Sequence, residues 1–163
     1  MRQTTFFSSR RVRNKSASRA ALLLILLLAI VACVIGLVNT KNIKTIPTAQ
    51  LGNQLFQLEV ADTELAREQG LGGRQPLSRD SGMLFVFESS GTHCFWMKDM
   101  RFSIDMLWIN AGKKVTHIEK SVSPSTYPYS FCPTEPSLYV LEVPAGTAAA
   151  TDVQVGDQIR LSY

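Results

Sequence analysis

The densest group of side chains able to do chemistry is Lys98, Asp99, Arg101 and Asp105, with Trp96 just ahead of it and Arg74 upstream. As a binding cluster, Trp96 supplies a stacking face while Lys98 and Arg74 hold a negatively charged group on a small ligand or polymer. The plainer reading is an ion-pair and capping network at a strand connection, because charged residues set among apolar ones need partners whether or not they act. Asp105, flanked by Ile104 and Met106, is expected to be half-buried and paired, with Lys98 the nearest partner in sequence. Glu142, between Leu141 and Val143, adds a second carboxylate. A Lys98, Asp105 and Glu142 cluster would suit a hydrolase of the cell envelope, since two suitably spaced carboxylates can cleave a glycoside. Nothing in the sequence sets that spacing. Met83, Met97, Met100 and Met106 read as core filling, since no Met-x-x-Met string accompanies them. No phosphate-binding glycine loop, nucleophile elbow or His-Glu-x-x-His string occurs, so no catalytic residue, cofactor or metal is assigned.

Two further groups are the cysteines and the histidines. Cys94 and Cys132 are the two thiols outside the long apolar segment, and in an oxidising compartment their parity favours a disulfide. A zinc site built from them with His93 and His117 is disfavoured, because adjacent residues such as His93 and Cys94 point to opposite faces of a strand. A nucleophilic cysteine lacks any assignable activating group.

The compartment follows from where the charges sit. Hydrophobic residues make up 45% and charged residues 18%, which excludes a disordered or collagen-like chain. Six of the 17 basic side chains lie in residues 1–19 with no acid, so the other 11 face 13 acids and the remainder carries −2. Basicity belongs to the tail, and no nucleic-acid partner is expected. Residues 20–38 then run without a charged side chain. A helix of that length spans about 28 Å, close to the roughly 30 Å hydrocarbon core of a bilayer. The expectation is a single-pass transmembrane helix, contacting the lipid bilayer, with its N-terminus cytoplasmic and its C-terminal domain extracytoplasmic. A cleaved signal peptide and a lipoprotein acylated at Cys33 are the competing readings.

These residues must be positioned by the elements that follow. Residues 39–51 read as a linker and 52–163 as one domain. Leu55–Val60 reads as a strand; Asp62, Glu64 and Gly70 bracket a short helix. Strands are expected at Gly82–Phe87, His93–Met97, Ile104–Ile109, Val115–Glu119, Leu138–Val143 and Gln158–Ser162. Asn110-Ala111-Gly112 makes the third and fourth of these a hairpin. Residues 121–137, with four prolines, read as a long ordered loop, and Thr147–Thr151 as at most one helical turn. The predicted architecture is mainly β, at the margin α+β: a small antiparallel β-sandwich or barrel with one short helix.

Six strings in one order also carry a family resemblance: Gly70-Leu71-x-x-Arg74, Gly82–Phe87, Phe95–Asp99, Ile104–Leu107, Tyr139–Val143 with Ala145-Gly146, and Val155-Gly156-Asp157. Together they resemble the bacterial and archaeal family known as domain of unknown function 192, over nearly the whole domain. The resemblance implies a small mainly-β fold in proteins that are often exported, and it implies no reaction, substrate or cofactor. Gly72 departs from the pattern, where family members commonly carry Met. The expected role is a non-catalytic binding or interaction module facing an envelope or membrane-protein partner.

Overall fold

The computed structural model describes residues 23–33 and 45–163. The chain divides into two units, residues 1–44 and 45–163. In the first, residues 23–33 form helix α1, with apolar side chains such as Leu24 and Ile25 exposed. Among the described residues no helix is long and apolar enough to cross a membrane. The span expected over 20–38 is therefore not supported by α1 alone; its two ends, like the basic tail, lie outside the described residues.

The second unit is built on one seven-stranded sheet. Its strands are β1 (Thr48–Leu51), β2 (Gln54–Ala61), β3 (Ser81–Gly91), β5 (Ile104–Ile109), β6 (Val115–Val122), β8 (Ser137–Pro144) and β9 (Arg160–Ser162), in the order β6-β5-β8-β3-β2-β1-β9. A separate ribbon pairs β4 (Phe95–Trp96) with β7 (Ser130–Phe131). Helices α2 (Glu64–Gln69) and α3 (Thr147–Ala150) complete the unit.

Two features depart from the antiparallel sandwich, the second of them towards the barrel alternative. First, β2 and β3 are parallel, joined by the crossover that contains α2. A parallel pair needs a long connection, and here it runs across one face of the sheet. Second, Lys114 bridges Gln158, and Val115 N donates to Asp157 O at 2.9 Å, so the sheet curls into a half-barrel whose far strands meet. One curled sheet thus replaces two stacked ones. The linker is also shorter than expected, because β1 begins at Thr48 and pairs with both β2 and β9.

The sheet has an apolar cluster on each face. Ala49, Phe56, Leu84, Leu107, Leu141, Val143 and Leu161 belong to the cluster inside the curl. Met83, Phe85, Met106, Trp108 and Val140 form the other, joined by Leu71 and Met97 from the covering loops. Successive residues of a strand point to opposite faces, so β5, buried at all six positions, serves both clusters. The four methionines named above belong to this second cluster or pack against it.

Asp105 is the polar exception in β5. It is fully buried, and its partners are backbone amides rather than Lys98. Ser121 N and Gly146 N donate to Oδ1 at 2.7 and 3.2 Å, and Ala148 N donates to Oδ2 at 2.7 Å. Gly146, the residue at the cap position of α3, has no side chain with which to satisfy the first-turn amides. Asp105 does that from the neighbouring strand and ties β5, the end of β6 and the β8–α3 turn together.

Replacing Asp105 by Ala leaves three amide donors without their acceptor. We expect a loss of more than about 3 kcal/mol, from roughly 1–3 kcal/mol per unsatisfied buried group. Asp105→Asn should fall between Ala and wild type. Urea denaturation measures both, and a change within experimental error for Ala would rule out this role.

Candidate functional site

The outer face of the sheet is only partly covered, and the gap is an open cleft of about 1220 Å³. One wall is α2 with Gly70–Gly73; the other is β4 with the loop over Met97–Arg101. Thr63 caps α2, its Oγ1 accepting from Ala66 N at 3.2 Å, so the cap lies one residue beyond the expected Asp62. Six residues are too few for a stable isolated helix, and tertiary contacts must hold α2 in place. Arg67 provides one: its Nη1 donates to Asp62 O at 2.7 Å and to Val86 O at 2.8 Å, and the guanidinium lies 5.4 Å from the centre of the Phe87 ring.

The two walls meet where Gly73 N donates to Asp99 O at 2.8 Å. At Gly72, an added Cβ would sit 3.1 Å from Gln69 O and 3.4 Å from Lys98 O. The absence of a side chain there accompanies a close approach of the loops. The opposite wall is held by the disulfide between Cys94 and Cys132, whose Cα atoms are 4.3 Å apart across 38 residues of sequence. It fastens the two-residue strands of the β4–β7 ribbon. Phe95 packs edge-on against Phe85, ring centres 4.8 Å apart, and anchors the ribbon to the sheet.

The structure separates the residues of the expected binding cluster. Trp96, Lys98 and Asp99 line the cleft, with Arg101 beside them. Trp96 is 52% exposed, and Lys98 Nζ lies 5.9 Å from its ring centre. Arg74 points elsewhere, its Nη1 2.6 Å from Glu59 Oε2. Asp105 lies on the inner face. Its register partner is Val143, whereas Met106 is paired with Glu142, so Asp105 and Glu142 project from opposite faces of the sheet. The Lys98, Asp105 and Glu142 hydrolase cluster therefore does not assemble.

Glu142 is a carboxylate whose surroundings the sequence left open. It is only 4% exposed, lies between Met83 and Met106 in the register of the sheet, and contributes to the floor of the cleft. Among the described residues its carboxyl has no hydrogen-bond or ion-pair partner. Burial alone pushes its pKa from the ordinary 4.5 up to about 8, so the group is mostly protonated at neutral pH. The signal that could have found it is the near-continuous apolar run around it, which marks a strand buried on both faces rather than an exposed alternating one.

The histidines do not join the cysteines. His93 stacks on Phe87 with ring centres 3.5 Å apart, and His117 Nε2 lies 3.0 Å from Glu119 Oε1. Among the described residues no group of three His, Cys, Asp or Glu side chains could hold a metal ion.

A curled, mainly-β domain with a cleft between a crossover helix and a disulfide-fastened ribbon is the class that fold and site define. The chain belongs to the DUF192 family, described as Uncharacterized ACR, whose pattern matches residues 46–161. Among solved structures it is similar to a Sinorhizobium meliloti 1021 protein described as a proposed transcription regulator, with 30% identity and a TM-score of 0.65 over 71% of this chain and 91% of the other. It is similar also to a Novosphingobium aromaticivorans DSM 12444 protein of unknown function, at 25% identity and a TM-score of 0.65 over 71% and 84% of the two chains. No curated protein matches.

Two outcomes follow from this geometry. An unfolded Glu142 ionises near pH 4.5 while the folded one keeps its proton to about 8, so stability should fall as pH rises through that window and level off above it. The loss is bounded at about 5 kcal/mol. Glu142→Gln should flatten the slope in urea titrations between pH 4 and 9; an identical slope in this variant would refute the assignment. Separately, Cys94 and Cys132 are both exposed, so a thiol reductant should open the bridge and lower stability by roughly 3–4 kcal/mol for a loop of this length. Thiol counts and urea midpoints with and without reductant provide the check.

Proposed function

We propose that this protein is a non-catalytic ligand-binding module tethered to the cell membrane. Residues 20–38 would anchor it with the N-terminus cytoplasmic, and residues 45–163 would present the cleft on the extracytoplasmic side. The observation that carries the binding role is the cleft itself, where aromatic walls meet the cations Arg67, Lys98 and Arg101 and the acids Glu64, Glu68 and Asp99, and where, among the described residues, no nucleophile stands beside a base. Two facts support the topology: six basic side chains precede an uncharged segment of membrane-spanning length, and the cysteine pair is oxidised. The regulator description of the Sinorhizobium relative fits this chain poorly, because everything after residue 19 carries a net charge of −2.

The binding and topology readings are tested separately. Fusion of alkaline phosphatase after residue 44 should give an active, exported reporter, whereas an inactive one would overturn the orientation. For binding, the full chain is captured from native membranes and its co-purifying small molecules are extracted. Trp96→Ala and Lys98→Ala should each lower the yield of a retained compound at least severalfold, and identical extracts from all three proteins would count against the cleft.

A further inference from the structure

We infer that the cleft recognises a small, largely apolar ligand through an uncharged amide or similar carbonyl group, hydrogen-bonded by the Glu142 side chain on its floor. This deepens the binding role proposed above by naming the ligand chemistry, and it rests on that role. The geometry starts with an unpartnered polar group. Polar side chains at so deep a position usually have a protein partner, and one whose oxygens meet only the solvent of the cleft is open to a ligand. Glu142 is 96% buried among Met83, Met106, Phe85 and Val140, yet its carboxyl reaches the cleft and meets no protein partner among the described residues.

The protonation state selects the complement. A neutral carboxyl presents one O–H donor and one carbonyl acceptor side by side, which matches the N–H and C=O of an amide. The apolar walls, Phe85, Phe95, Leu71 and Met100, suit the remainder of such a ligand. A cationic ligand would have to enter a cleft that already holds Arg67, Lys98 and Arg101, none of them within ion-pair distance of a carboxylate among the described residues. An anionic ligand would meet Glu64 and Glu68 from α2 and Asp99 from the facing loop. Those six charges face the cleft from both walls. An uncharged ligand needs none of them rearranged.

The test uses the full chain in detergent micelles with three probes: benzamide, benzylamine and benzoate. Binding is followed through the carboxyl carbon of Glu142 and the methyl groups of Met83 and Met106, at pH 6 and pH 9. Benzamide should be preferred and should bind about tenfold more weakly at pH 9, where about one carboxyl in ten retains its proton. Glu142→Gln, which keeps a donor and an acceptor at every pH, should retain benzamide with equal affinity at the two pH values. Glu142→Leu should lose it while keeping the fold. A pH slope that survives in Glu142→Gln would assign the effect to a group other than Glu142 and overturn the inference. Preference for benzylamine with affinity rising towards pH 9, or preference for benzoate, would overturn the amide chemistry while leaving a binding cleft intact. No shift at these three residues with any probe would overturn the inference as well, and the capture comparison of Trp96 and Lys98 variants then decides the binding role independently.

Discussion

A single-residue offset between two neighbouring strands governs much of this molecule. Asp105 and Glu142 stand on β5 and β8, but Asp105 is opposite Val143 and Met106 is opposite Glu142, so the pleat sends the two carboxyls to different faces. Each is buried beside apolar side chains, and the two solve that difficulty differently. The inward carboxyl is saturated with amide donors and binds three segments into one scaffold. The outward carboxyl has no such donors, keeps its proton instead, and forms the floor of an open cleft.

The outer cluster explains why the cleft exists. A second sheet would have covered that face completely, whereas a short crossover helix and a two-stranded ribbon cover it only in part. Both covers are too small to hold their own shape. The helix is fixed by Arg67 through two strand-side and loop carbonyls, and the ribbon by a covalent bridge and the packing of Phe95 on Phe85. The walls of the site are therefore positioned by specific fastenings at their ends rather than by extensive burial.

Sequence was informative where the signal is local. Ile104–Ile109 forms β5 with the expected bounds, because a six-residue run apolar at every position but Asp105 and flanked by turn residues has few alternatives. The hairpin at Asn110–Gly112 is likewise set by nearby residues. What escaped was long-range. Thr48–Leu51 reads as linker because its four residues become a strand only through β2 and the distant β9. Asp105 finds its partners 16, 41 and 43 residues away, so sequence proximity to Lys98 misled. The surroundings of Glu142 were not legible either, since alternation predicts exposure only if one face of the strand meets water. Of the candidate cluster, Trp96, Lys98 and Asp99 reached the cleft together, being close in sequence, while Arg74 was drawn away by Glu59 from a strand no local pattern connects to it.

The curl that brings Lys114 to Gln158 also bears on how copies of the domain behave together. An open sheet offers two rows of unpaired amides and carbonyls on which another chain can add a strand. Here the start of β6 meets the residues leading into β9, and β9 itself is only three residues long. Templating is blocked at that seam, while the outer side of β6 beyond Val115 stays open. The closure thus shortens the edges on which a strand of another copy could add, without removing them.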